Sequence, residues 1–131
     1  MKSKLIGLLG LMRRANKIEI GEVNTGTAAR AHKAKMIVVA SDASENAVKR
    51  AVGFSNTGRC AMVKLPLTKE ETAAAVGLTG CSMAALTDSG FAGAFVNLLC
   101  EQDPDTYSKF RNMFPQKPEA VRKTKTPRKI N

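Results

Sequence analysis

The chain has no tryptophan, one tyrosine and one histidine among 131 residues. Its core must therefore be mostly aliphatic, with five phenylalanines as the main aromatic filling. The lone imidazole, His32, sits between Ala31 and Lys33, a poor place for a buried catalytic base. Cysteine is also scarce. Cys60, Cys81 and Cys100 are far apart and odd in number, and no Cys-x-x-Cys occurs. That pattern argues against a disulfide framework and against a zinc site. The three read as small buried apolar residues in a reducing compartment. No apolar run approaches the ~18 residues needed to span a bilayer. A phosphate loop of the Gly-x-x-x-x-Gly-Lys type is missing too. Nothing in the chain points to a catalytic residue, a cofactor or a resident metal.

Charge is what the chain has in abundance, a net +10. Residues 1–35 carry eight Lys/Arg against Glu19 and Glu22, and residues 109–131 carry eight against Glu119. The middle, 36–108, is acidic overall. Positive charge concentrated at the two ends of a chain points to a nucleic-acid partner, although any charge run can simply be a solvated surface. The N-terminal apolar stretch lacks a small-residue cleavage site, and Arg13-Arg14 interrupt it early. We read it as an amphipathic helix of a cytoplasmic protein.

The spacing of apolar residues predicts helices and strands in alternation. A helix is expected over about 3–15, with Leu5, Leu8, Leu9 and Met12 on one face. Ile18–Ile20 alternates with period two, and a second helix follows over about 23–33. Met36–Ala40 is a β-branched run that reads as a strand covered on both faces. Asp42 and Glu45 form a capping pair for a third helix, whose Ala47, Val48, Ala51 and Val52 face inward and which Gly53, Asn56 and Gly58 end. A strand is expected over 61–65. Thr68-Lys69-Glu70-Glu71 is a capping box for a short helix reaching Val76, with Gly77 turning the chain after it. The last strand spans 81–87, and Asp88 caps a final helix bearing Phe91, Phe95, Leu98 and Leu99. The result is a single α/β domain, a three-layer α/β/α sandwich on a small mixed sheet. Mostly parallel neighbours are expected, with room for one antiparallel pair. Residues 102–131 form a basic, proline-containing extension, with a short helix near 106–113 and disorder from about 116.

The stretch Lys17–Arg30 holds the best candidate site. Gly21 breaks a short strand before a helix, and Asn24 or Thr25 can cap that helix. A helix start behind a glycine presents N–H groups that suit a phosphate. Arg13, Arg14 and Lys17 precede the turn, and Arg30, Lys33 and Lys35 follow it. An ordinary strand-to-helix turn is the plain alternative.

Several motifs, in their order, resemble the kink-turn RNA-binding ribosomal protein superfamily and its small bacterial YlxQ-like branch. They are Leu9 to Lys17, Gly21-Glu22, Ala34 to Asn46, Lys69-Glu70-Glu71, Ala75-Val76-Gly77 and Thr87 to Ala92, and together they span about residues 3–101. The resemblance implies an α/β/α sandwich, a monomer without catalytic activity, whose partner is a structured RNA, ribosomal RNA included. It also implies that the turn at Gly21, Glu22, Val23, Asn24 and Thr27 meets tandem G·A pairs. Arg13, Arg14, Lys17 and Arg30 would serve the kinked phosphates, and Val76, Gly77 and Leu78 would form an apolar lid over an extruded base. The family's turn commonly carries a polar or basic residue, an Asn, Gln or Glu, and a lysine three further on. Here those places hold Val23, Asn24 and Thr27, and a common Leu-Gly-Arg is replaced by Thr72-Ala73-Ala74. The alternative function on the same fold is a protein–protein module that has lost kink-turn selectivity. Convergence of the four cations on Gly21 is the feature that would separate the two.

The extension yields a first prediction. Truncation after Pro115 should leave the fold intact and weaken binding to every RNA about equally, as removal of nonspecific phosphate contacts does. Thermal melts and titrations with two unrelated RNAs check it, and selective loss of one RNA would contradict it.

Overall fold

The structure, a computed structural model, describes residues 2–76 and 82–113. Its elements follow the expected alternation. They are α1 (Lys2–Arg14), β1 (Ile18–Ile20), α2 (Glu22–Arg30), β2 (Met36–Val39), α3 (Glu45–Gly58), β3 (Ala61–Lys64), α4 (Lys69–Val76), β4 (Met83–Leu86), α5 (Ser89–Gln102) and α6 (Pro104–Tyr107), and a 3-10 turn over Ser108–Met113 follows. The expected last strand is shorter than predicted, and Cys81 and Gly77 lie outside the described residues.

The four strands lie in the order β1-β4-β2-β3. Each side chain along β2 is buried, and alternate ones serve opposite faces. Met36 and Val38 join Leu5, Leu9, Met12, Val63, Phe95 and Leu99 in the larger core, under α1, α4 and α5. Ile37 and Val39 join Ala28, Ala29, Ala47, Ala51 and Met83 on the other face, under α2 and α3. The sandwich is thus three layers deep, with a wide aliphatic face and a tight alanine-rich one.

Strand direction departs from expectation. Only β2 and β3 are parallel, and β4 runs antiparallel to both β1 and β2. The reason is that the chain between β3 and β4 makes an excursion instead of crossing to the other end of the sheet. Ser41 N–H bonds the Leu67 carbonyl as the chain leaves, and Ala40 N–H bonds the Ser82 carbonyl as it returns. Both contacts lie beside the end of β2, so β4 starts where β3 finished.

Of the caps of α3, α4 and α5, two are as read from sequence and one is not. Thr68 and Glu71 form the reciprocal box, with Thr68 N–H to Glu71 Oε1 at 2.9 Å and Glu71 N–H to Thr68 Oγ1 at 3.1 Å. These bonds, with Lys2 nearby, hold the Glu71 carboxyl below its usual pKa. Its contribution is therefore present near neutral pH and lost as acid titrates it. Asp88 caps α5 through Phe91 N–H at 2.9 Å. For α3, however, the cap is Ser44, which accepts from Ala47 N–H, and Asp42 accepts from Lys69 N–H to pin the start of α4. Asp42 lies two residues too early to cap α3 and faces the neighbouring helix instead. Helix α3 also buries Ala47, Ala51 and Ser55, an i, i+4 stripe that turns Val52 outward at 39% exposure. Gly53 and Asn56 lie within this helix; Arg59 in the left-handed conformation follows its last residue.

The segment after α5 packs on the domain. Tyr107 is buried, and its hydroxyl donates to the Lys64 carbonyl at 2.8 Å, covering the β3 edge. Burial raises the phenol pKa, with the Asp103 charge adding to it.

Three helices end in the same way. The N–H pairs Asn16 to Arg13 and Lys17 to Met12, His32 to Ala29 and Lys33 to Ala28, and Arg59 to Asn56 and Cys60 to Ser55 all follow the Schellman pattern. The residue that must be left-handed is never glycine here. Asn16, His32 and Arg59 have φ of 60, 58 and 57°. Arg59→Gly should raise stability by roughly 0.5–1 kcal/mol, the left-handed strain relieved less the entropy that glycine adds to the unfolded chain. Asn16→Gly should gain less, since asparagine tolerates this region. Denaturant midpoints of the two variants test this, and a loss of stability in Arg59→Gly would refute it.

Candidate nucleic-acid interface

Strands β1, β2 and β3 run toward the same end of the sheet, where Gly21 lies, and α2 starts there. Gly21 has φ 95° and ψ 163°, a region open essentially to glycine alone. A Cβ there would meet nothing within 4 Å. The glycine is thus required by backbone conformation, not by close approach within the protein. Its N–H donates to the Met83 carbonyl at 3.0 Å, extending the β1–β4 ladder by one bond. That bond sets the β1–α2 turn beside the start of β4, into which the loop after α4 leads.

Gly21 itself caps α2, with no side-chain hydrogen bond to the first turn. Neither Asn24 nor Thr25 is the cap. Asn24 Nδ2 donates back to the Ile20 carbonyl at 3.0 Å, fixing its amide against β1. Thr25 is fully buried within the helix. Thr27 Oγ1 donates to the Val23 carbonyl, a bond within the helix. Val23 is 79% exposed, the most exposed large apolar residue described. Glu22 is turned toward α3 and paired with Arg50.

The four cations do not gather at Gly21. Lys17 lies at the far end of β1, about 13 Å away at ~3.3 Å per residue, where its carbonyl accepts from Thr87 N–H. Arg13 closes the last turn of α1 at that same end. Arg14 folds back along α1, its Nη1 3.6 Å from where a Gly10 Cβ would stand, a point 3.3 Å from the Ala75 carbonyl near the end of α4. Arg30 folds back likewise toward Gly26. Its Nη1 would lie 3.3 Å from a Cβ on Gly26, and Phe54 Cζ of α3 would lie 2.9 Å from that Cβ. Gly26, unmarked in the sequence reading, admits this ring between α2 and α3.

Val76 is 1% exposed and belongs to the larger core. Its side chain therefore anchors the end of α4 from below. Gly77 and Leu78 lie outside the described residues.

Two shallow grooves run along the outer side of β1 and α2. The first, about 130 Å³, is lined by Glu19, Asn24, Thr27, Ala28, Ala31 and Lys33. The second, about 420 Å³, is lined by Asn16, Glu19, His32, Lys33, Lys35 and Thr87. Shared Glu19 and Lys33 make them one trough. Glu19 was not singled out in the sequence; its outward place between buried Ile18 and half-buried Ile20 is the signal that could have found it. Among the described residues no cluster of His, Cys, Asp and Glu could hold a metal, and no helix is long and apolar enough to cross a membrane.

Gly21→Ala should destabilise the protein by roughly 1–3 kcal/mol although the new methyl touches no neighbour. A denaturation curve checks it. An unchanged midpoint would mean that the turn relaxes freely and holds no fixed geometry.

No family model matches the chain. It is 34% identical over 96 residues to the RNA-binding protein YlxQ of Bacillus subtilis, covering 70% of this chain and 91% of that protein. A Bacillus halodurans protein of unknown function superimposes with a TM-score of 0.67 at 21% identity, over 73% of this chain and 96% of that one. The 15.5 kD RNA-binding protein of Giardia lamblia superimposes with a TM-score of 0.58 at 12% identity, over 76% and 85%. The two structures share the fold, and the identity to YlxQ over nearly its whole length settles the family: the chain belongs to the YlxQ-like branch of the kink-turn RNA-binding ribosomal protein superfamily.

Proposed function

We propose that the protein binds a structured, kink-turn-like RNA through the β1–α2 turn and the loop after α4, without catalysing a reaction. The bond from Gly21 N–H to the Met83 carbonyl supports this reading, because it holds the β1–α2 turn against the start of β4, to which the loop after α4 connects in the chain. The turn holds a backbone conformation open essentially to glycine alone. The Asn24 amide, held by Ile20, is pre-oriented at the helix start, and its oxygen remains to accept from a base edge. Exposed Val23 beside it offers apolar contact where the family commonly has a polar or basic residue. The relative named as an RNA-binding protein supports the same class of partner. Gly77 and Leu78, by their place after Val76, would complete the lid over an extruded base. The protein acts as a monomer in this reading.

The protein–protein alternative draws on the same Val23, and on the four cations that do not cluster at the turn. One variant separates the two. Asn24→Ala should cost on the order of 1–3 kcal/mol of affinity for a kink-turn RNA and blur its preference over a plain duplex. Arg30→Ala should weaken both RNAs alike and lower the salt slope by about one. Fluorescence titrations at two ionic strengths give both numbers. Affinity untouched by Asn24→Ala, with stability reduced, would make the turn a scaffold feature only.

A further inference from the structure

The end of the sheet opposite Gly21 carries cations that the turn leaves unexplained. β4 finishes there, and its last residues are held from both sides. Lys35 N–H donates to the Leu86 carbonyl at 2.7 Å, and Thr87 N–H donates to the Lys17 carbonyl at 3.0 Å. Lys17 and Lys35 thus flank β4, about two strand spacings or ~10 Å apart. Lys33 and Lys35 line the larger groove, and Lys17 follows Asn16 at its rim in the chain. All three lysines are exposed, and none is in an ion pair among the described residues. The carboxylates nearby are two. Asp88 is engaged by Phe91 N–H, and Glu19 lies midway along the trough.

We propose that this lysine foot is a second RNA contact, which takes the sugar–phosphate backbone of a stem leaving the β1–α2 turn. The inference rests on the RNA reading above. Three exposed ammonium groups, two of them lining a concave groove and the third beside it, suit a polyanion better than a single ion, because separated charges meet separate phosphates. The groove at Asn24 adjoins the one at the foot, the two sharing Glu19 and Lys33. Glu19 repels a backbone that lies deep in the middle, so contact is made at the two ends. Lysines here also face the C-terminal ends of α1 and α2, where a cation stabilises the helix. That role would alter stability but not RNA affinity, which makes the two separable.

The span sets a length. About 13 Å from Gly21 to Lys17 is roughly four to five base-pair steps of an A-form stem, whose rise per pair is somewhat below the ~3.4 Å of B-DNA. A stem of two pairs cannot reach the foot, and one of ten can. The test uses the full chain and two synthetic kink-turn RNAs, one with both stems extended to about ten base pairs and one with each stem cut to about two. The variant replaces Lys17, Lys33 and Lys35 by glutamine. We expect at least about a tenfold loss of affinity for the long RNA and a salt slope lower by about two to three. Affinity for the short RNA should stay within about twofold. Equal loss on both RNAs, or no loss on the long one, overturns the second contact while the RNA reading stands. Wild-type protein that binds neither RNA better than a plain duplex overturns the RNA reading itself. Should the triple variant melt early, the single variants Lys33→Gln and Lys35→Gln carry the same comparison, each with a salt slope lower by about one on the long RNA alone.

Discussion

One hydrogen bond, from Gly21 N–H to the Met83 carbonyl at 3.0 Å, decides how the two ends of this sheet are used. It can form only because β4 runs antiparallel to β1, so that the residue after Ile20 meets the residue before Ala84. The same antiparallel course carries β4 away from the turn and ends it between Lys17 and Lys35. A parallel β4 would have put the loop after α4 at the opposite end from Gly21. The turn would then have faced solvent alone. Strand direction, set by the excursion between Leu67 and Ser82, is therefore what brings the start of β4 beside the β1–α2 turn.

The two ends differ in electrostatics by the same logic. Helix α2 begins beside Gly21 and ends at Arg30, just before left-handed His32, so its N–H groups point toward the turn and its carbonyls toward the foot. α1 also ends near the foot, in a Schellman bond to Lys17. Partial positive charge at the turn comes from the backbone and is fixed in place. Full positive charge at the foot comes from lysines on flexible stems. The first suits a ligand read by geometry, the second one held by charge.

The layers and most element bounds were legible from local pattern. Ile18–Ile20 needed only period-two alternation, and Thr68 with Glu71 needed only the spacing of a capping box. The buried run from Met36 identified the central strand. What pattern could not supply is anything decided by a distant partner. The direction of β4 depends on contacts between Ala40–Ser41 and residues 67 and 82. Asp42 was misassigned because its true partner, Lys69 N–H, is 27 residues away. Cations that flank Gly21 in sequence lie a strand's length from it in space, because a strand moves its ends apart by ~3.3 Å per residue. The turn was legible at Gly21, and of the two reasons for a glycine there, a positive φ and close approach, the φ of 95° is the one that applies within the protein. Close approach belongs to Gly26, under Phe54.

The departures from the family's usual turn gain a physical meaning from this geometry. Val23 removes a hydrogen-bonding group, and Thr27 spends its hydroxyl on the Val23 carbonyl within α2. Of the turn's polar side chains only Asn24 is both exposed and oriented toward β1. A surface with one oriented amide and one apolar side chain discriminates base edges weakly, since a single side chain reads one edge. Affinity must then come from contacts that are indifferent to sequence. In the proposed mode of binding those lie away from the turn, along the grooves lined by Glu19, Lys33 and Lys35. If the turn and the foot both hold RNA as proposed, the loss of a reading group at the turn leaves shape and backbone charge to outweigh base identity.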